Sequence, residues 1–192
     1  GLQIHAAPIV AGMYYPPLSP AQPALLTGLD SPEIARRLKQ VLANQYPPQH
    51  EVRLFLPGGA GQPQPIRLPL ERIDSALGDA SGGLLVVPPL DAVGSFESLQ
   101  ETMAHLRAPE GCPWDREQTH ETLRPYLLEE TYEALDALDA GDLGGLNGEL
   151  GDLLLQVVFH VQVAVDRGEF RMADVIGHIN RKLIHRHPHV WG

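Results

Sequence analysis

Glu149-Leu150-Gly151-Asp152-Leu153-Leu154-Leu155-Gln156-Val157-Val158-Phe159-His160-Val161-Gln162-Val163-Ala164-Val165 is the stretch on which the reading of this chain turns. From Leu153 onward the residues are apolar on nearly every side of a helical projection, so a helix here needs protein around it. Two carboxylates three positions apart, Glu149 and Asp152, open the run. Asp152 directly precedes Leu153-Leu154-Leu155 and is expected to face a bundle interior, where ionisation is costly unless a cation compensates. Gln156, His160 and Gln162 interrupt the stretch Leu153 to Val165, and its length falls short of a bilayer span.

The neighbouring segments read as helices too. Ser95 caps one with Phe96, Leu99, Met103 and Leu106 on one face, ending near Arg107 before Pro109 and Gly111. A second is expected from about Pro125 to Ala140, closed by Gly141. The third covers about Leu146 to Arg167, closed by Gly168. The fourth runs from Met172, with Val175, Ile176, Ile179, Leu183 and Ile184 apolar, and stops before Pro188. Four helices with short connections predict an antiparallel four-helix bundle over residues 91–192.

The first 90 residues follow a different pattern, rich in Pro and Gly and short of charge. Pro16-Pro17, Pro47-Pro48, Pro88-Pro89 and a Gly58-Gly59-Ala60-Gly61 turn punctuate them. Val52 to Leu56, Ile66 to Leu70 and Gly83 to Val87 read as strands, the last as a run that could be buried. Ser31 and Pro32 open a helix carrying Ile34, Leu38, Val41 and Leu42. The chain is therefore expected to be α+β: a small α/β lobe over residues 1–90, followed by the all-α half.

The second helix carries Leu127-Leu128-Glu129-Glu130-Thr131-Tyr132-Glu133. At about 100° per residue, Glu129, Glu130 and Glu133 share an arc of roughly 100°. With Glu149 and Asp152 on the next helix, two antiparallel helices each offer a carboxylate pair to one cage of oxygens. Magnesium suits such a cage best, with manganese as a substitute, because it takes oxygen ligands and completes its shell with waters and phosphates. A metal held by few protein ligands can activate a water and clamp phosphoryl oxygens. Glu-Glu-x-x-Glu alone is also the pattern of a solvated helix face; the second pair favours a site.

Lys182 and Arg186, four apart, are placed to receive phosphate oxygens or to complement a helix C-terminus. Gly111-Cys112-Pro113-Trp114-Asp115 is a turn that either sets Trp114 over a base or pins a loop through a buried ring. His185, His187 and His189 lack the thiolates of a zinc site. His160 reads as a hydrogen-bonded core histidine. Gly151 within a helix suggests close approach of another backbone. A carboxylate-bridged di-iron bundle would want Glu-x-x-His on two helices, and only Glu117-x-x-His120 fits.

Composition narrows the partners. The 192 residues carry 24 acidic against 14 basic side chains, a formal charge of −10. That balance opposes non-specific nucleic-acid binding and leaves room for nucleotides only with a divalent cation and local Arg or Lys. Cys112 is the single cysteine, and neither the basic flank nor the apolar core of a signal peptide is present. The expectation is a cytoplasmic protein that engages no membrane.

At these residues the chain resembles the MazG family of all-α nucleotide pyrophosphohydrolases, from about Ser95 to Gly192. The likeness rests on Gly111 to Asp115, on Arg124-Pro125-Tyr126-Leu127-Leu128-Glu129-Glu130, on Glu149 to Gln156 and on Arg186-His187-Pro188-His189-Val190. The family's Glu-Glu-x-x-Glu and Glu-x-x-Asp are complete here. The resemblance implies hydrolysis of nucleoside triphosphates between the α and β phosphates, giving monophosphate and pyrophosphate in nucleotide-pool house-cleaning. It also implies a homodimer or larger homo-oligomer.

In that reading Glu130, Glu133, Glu149 and Asp152 hold the metal, Glu129 acts on the water, and Trp114, Lys182 and Arg186 meet the substrate. Three features depart from the family: His185-Arg186 stands for two arginines, Asn147-Gly148 replaces helix-favouring residues, and the family's further helix lies beyond Gly192. A non-catalytic or regulatory interaction module on the same helices stays open as an alternative. Residues 1–90 resemble, less specifically, the C-terminal lobe of the tetrapyrrole (corrin/porphyrin) methylases. The likeness runs through Pro16-Pro17-Leu18, Asn44-Gln45-Tyr46-Pro47 and Val87-Pro88-Pro89-Leu90; the Gly-rich cofactor turn is absent, so methyl transfer is not expected.

Overall fold

The computed structural model describes residues 1–57, 64–78, 82–90 and 94–192. The chain divides into two compact units, Gly1–Ser98 and Leu99–Gly192. The Gly58-Gly59-Ala60-Gly61 turn lies outside the described residues, as do positions 91–93 at the foreseen boundary.

The first unit is built on a five-stranded sheet of order β1-β2-β5-β3-β4. Its strands are β1 (Gln3–Ala6), β2 (Ala24–Leu29), β3 (Glu51–Phe55), β4 (Ile66–Pro69) and β5 (Gly83–Val87). β1 runs parallel to β2, and the other pairings are antiparallel. Helices α1 (Ala7–Ala11), α2 (Pro32–Leu42) and α3 (Ile73–Leu77) supply the rest of the core. Ser31 caps α2 by accepting from the Ile34 N–H, with Pro32 at its first position. Leu26, Leu29, Leu38, Leu42, Leu54, Ile73, Leu77 and Leu85 are fully or almost fully buried, each contributing about 1.5–3 kcal/mol.

Gly83 to Val87 is not buried throughout. Gly83, Leu85 and Val87 face the core while Leu84 is exposed, the alternation of a sheet covered well on one face only. β1, α1, β2 and α3 were not foreseen. β1 has only four residues, and Thr27 and Gly28 break the apolar pattern of β2.

The second unit is helical. α4 (Phe96–Arg107), which belongs to this unit from Leu99 onward, and the short α5 (Pro113–Glu117) lead into α6 (His120–Ala140), α7 (Leu143–Arg167), α8 (Met172–Arg186) and the single turn α9 (Pro188–Trp191). α6 begins five residues before Pro125. Thr119 and Thr122 close a reciprocal capping box, so Pro125 sits inside the helix, where it leaves one carbonyl without its usual donor.

α7 likewise starts earlier than Leu146. Asp142 accepts hydrogen bonds from the N–H groups of Gly144 and Gly145, which places Asn147 and Gly148 inside a formed helix rather than at a frayed end. α6 and α7 form an antiparallel hairpin, joined by Gly141 and Asp142 alone. Gly141 is left-handed, at φ 66°. Its N–H donates to Leu138 O and that of Asp142 to Ala137 O, the two bonds that let a helix end in glycine.

At 25 residues α7 is long and apolar enough to cross a membrane, longer than its apolar stretch implies. Within the protein, Gln156, Val158, Phe159, Val161, Val163 and Ala164 are buried, as in a core helix. α8 buries Met172 only, and Ile176, Ile179, Leu183 and Ile184 are 41–48% exposed. Gly151 has nothing within 4 Å of a Cβ built on it, so the close backbone approach foreseen there is not made within the chain.

Candidate functional site

The connection between α6 and α7 fixes which of their residues face each other. Glu133 lies eight positions before Gly141 and Glu149 eight after it; Glu130 lies eleven before and Asp152 eleven after. Across an antiparallel hairpin, residues equally far from the turn meet at the same height, because both helices rise about 1.5 Å per residue.

Carboxylate oxygens of Glu130, Glu133 and Glu149 all lie within 4.8 Å of one another. Glu130 and Glu149 are half-buried and Glu133 is exposed. Asp152 is outside this triad and is exposed rather than turned into a bundle interior. Its charge is nonetheless felt by both Glu130 and Glu149. Glu129 is exposed beside the triad and adds to the negative charge at Glu130.

The electrostatics are one-sided. Partial removal from water, then the charges of Asp152, Glu133, Glu129 and Glu149, hold the Glu130 carboxyl above its usual range. Glu149 is raised by the same loss of water, then by Glu133 and Asp152. Among the described residues no Lys, Arg or His forms an ion pair with any of the five carboxylates. Like charges gathered on two helices raise the cost of ionisation, and a small divalent cation is the chemistry that relieves it. Oxygen-only donors, some of them solvent-facing, fit magnesium, which retains waters when bound.

The aromatic partner lies one turn away. Trp114, 49% exposed, packs edge-on against Tyr126 at 5.9 Å and Phe159 at 6.3 Å between ring centroids. Tyr126, Glu130 and Glu133 are spaced i, i+4 and i+7 along α6 and share one face. The ring is thus neither buried nor loose. Gly111 explains why the turn can pass the end of α4: a Cβ there would come 2.3 Å from Leu106 O and 2.4 Å from His105 O. Cys112 N–H donates to Leu106 O at 2.8 Å.

Among the described residues the basic candidates form no ion pair with the triad. Lys182 and Arg186 are exposed on the last turns of α8. His187 Nδ1 lies 2.7 Å from Leu183 O, and the histidines at the C-terminal end form no metal-binding group among the described residues. Sequence reasoning overlooked the partner of His160: its Nδ1 lies 2.8 Å from Nδ1 of His120, with the rings stacked at 5.1 Å. His120 Nε2 in turn is 3.5 Å from Glu169. His120, the only histidine the di-iron reading offered, is thus engaged by His160 and Glu169. Arg107 was also overlooked, and its side chain is only 7% exposed.

Comparison with known proteins bears on this half. Residues 118–191 match the MazG nucleotide pyrophosphohydrolase domain. The nucleoside triphosphate pyrophosphohydrolase/pyrophosphatase MazG of Thermotoga maritima is 58% identical over 97 residues, 50% of this chain and 38% of that protein. The nucleoside triphosphate pyrophosphohydrolase of Escherichia coli K12 is 52% identical over 100 residues, 52% of this chain and 38% of its own length. The uncharacterized protein YabN of Bacillus subtilis is 35% identical over 161 residues, 82% of this chain and 33% of its own, a match long enough to draw on both units. The chain therefore spans 33% to 38% of the length of these relatives. The MazG likeness read from the motifs is shown by these matches.

Proposed function

Taking as premise a helical half that matches the MazG pyrophosphohydrolase domain, we propose that this chain hydrolyses nucleoside triphosphates to monophosphate and pyrophosphate with Mg²⁺, or Mn²⁺ in its place. The single observation that carries the reading is the convergence of Glu130, Glu133 and Glu149 within 4.8 Å. The names of the relatives support the same activity.

Glu130, Glu133 and Glu149 would hold the metal, with Asp152 completing the set. When bound, the cation neutralises phosphate charge and lowers the pKa of a coordinated water. The chain's own residues do the rest. Glu129, exposed beside the triad, takes a proton from the attacking water, a general-base role worth roughly 10²- to 10⁴-fold. The water oxygen bonds to the α phosphorus as the bridging α–β P–O bond breaks, and pyrophosphate leaves. Lys182 and Arg186 neutralise that leaving group, and Trp114 packs on the base.

The apolar residues exposed on α8, with a cleft of about 540 Å³ lined by Arg124, Pro125, Leu127, Leu128 and Thr131 on the side of α6 opposite the carboxylates, favour a homodimer or larger homo-oligomer. Pairing of copies would cover these surfaces and bring basic residues of one subunit toward the acidic site of another. We read α7 as the core helix of such an assembly, without membrane or nucleic-acid partners, in the cytoplasm.

The test is pyrophosphate release from a panel of ribo- and deoxyribonucleoside triphosphates with Mg²⁺. Monophosphate and pyrophosphate in equal amounts, lost on chelation, are expected. Release of inorganic phosphate instead, or no turnover of any triphosphate, overturns the reading; the second result would favour a non-catalytic interaction module.

A further inference from the structure

A buried guanidinium holds the turn that carries Trp114. Arg107, the last residue of α4, donates from Nε to Asp166 Oδ2 on α7 at 2.6 Å. Its Nη1 donates to the backbone carbonyls of Asp115 and, at 3.3 Å, Gln118, within α5 and just past its end. The guanidinium carbon also stands 5.7 Å from the centre of the Phe159 ring, the ring that Trp114 meets edge-on. One side chain thus binds the turn from below and backs an aromatic neighbour of Trp114. Gln118 completes the frame, donating to Trp114 O at 2.8 Å and accepting from Thr122 Oγ1 on α6.

We propose that Arg107 is a positioning residue that fixes the aromatic wall of the nucleotide site, holding Trp114 against Tyr126 one helical turn from Glu130. The inference rests on reading Trp114 as a nucleotide contact. A charge this deeply buried needs partners on every side, and the planar fork of arginine meets a carboxylate and two carbonyls together. The single ammonium of lysine cannot reproduce that geometry. Asp166 is anchored independently, since Gln162 Nε2 donates to its other oxygen at 2.8 Å. The ion pair and the carbonyl bonds can therefore be broken separately.

The experiment compares Arg107→Lys with Asp166→Asn in the full chain, with Trp191→Phe as background so that Trp114 is the only tryptophan. Readouts are Trp114 emission, near-ultraviolet circular dichroism, affinity for a non-hydrolysable triphosphate with Mg²⁺, and KM and kcat. Arg107→Lys should red-shift the emission, raise KM and weaken analogue binding roughly three- to tenfold, the size of one aromatic contact, with kcat within about twofold. Asp166→Asn should lower the melting temperature yet leave emission and KM near the parent values. Unchanged emission in Arg107→Lys, or the same response from both variants, overturns the proposal. If Trp114→Ala binds the analogue as tightly as the parent, the nucleotide half falls with the reading beneath it, whatever the emission of Arg107→Lys shows.

Discussion

Glu133 and Glu149, on two different helices, bring carboxylate oxygens within 4.8 Å of one another, with Glu130 inside the same limit of both. Such a grouping works against the fold whenever all three are charged and no cation is present. Millimolar Mg²⁺ should therefore raise the melting temperature by mass action on the native state. Glu133→Ala should melt at or above the metal-free parent and lose most of the Mg²⁺-dependent rise. Asp152→Ala should keep its fold and lose at least about 100-fold in turnover, given the several kcal/mol of charge stabilisation a placed metal supplies. Normal turnover in Asp152→Ala would remove it from the site.

Glu129 and Glu130 are neighbours in sequence to which the proposed mechanism gives separate roles. Glu129→Gln should lower turnover by roughly 10²-fold or more and change metal affinity little, whereas Glu130→Gln should weaken metal binding itself. Calorimetric Mg²⁺ titration of both variants decides the matter: equal loss of affinity would make Glu129 a ligand and not a base.

Gly111 passes too near the end of α4 to carry a side chain. Gly111→Ala should destabilise the helical unit by about 1–3 kcal/mol, the range for forced overpacking, and denaturant unfolding measures it. A stability within error of the parent would mean that the turn has room to spare.

His160 supplies a pH dependence. Burial, and then the neighbouring His120, hold its pKa below the ordinary histidine value. The folded protein disfavours protonation of this ring, while the unfolded chain protonates it near about pH 6.5. Its contribution is therefore complete above about pH 6.5 and is lost as pH falls from there through the lowered folded-state pKa. Melting temperatures recorded from pH 8 to pH 5 should fall less steeply for His160→Phe than for the parent. Parallel curves would show that the imidazole pair carries no proton linkage.

Ile176, Ile179, Leu183 and Ile184 leave α8 with an apolar side facing water in the single chain. An oligomer that covers it should sediment well above 21.0 kDa at micromolar concentration, and Ile179→Glu should shift it toward the monomer. A parent chain that sediments as a monomer rules out the assembly proposed here.

The acidic site was legible because its information is local. Spacings of three and four on a helix fix a face, and Gly141 and Gly168 mark where α6 and α7 stop. The starts were less legible, because side-chain caps set them: Thr119 with Thr122, and Asp142, each extended its helix by several residues. The orientation of Asp152 was misread since an apolar neighbourhood in sequence does not tell which side a partner covers. β1 and β2 escaped notice because their pairing with each other and with β5 is long-range and their segments are short. The clamp around Arg107 joins α4, α5 and α7, and no spacing rule reaches across three elements.

The two-residue link at Gly141 and Asp142 has a consequence for how this protein can change over evolutionary time. A substitution on the outer faces of α6 or α7 alters one side chain, but one residue added to or removed from the link would slide one helix by about 1.5 Å and rotate it by about 100°. Glu149 and Asp152 would leave their counterparts together. Loops elsewhere can lengthen at small cost; here length sets the register of the facing carboxylates. In lineages that retain the proposed activity, this short hairpin bend should behave as a frozen ruler, permissive in composition at its margins and intolerant of insertion or deletion.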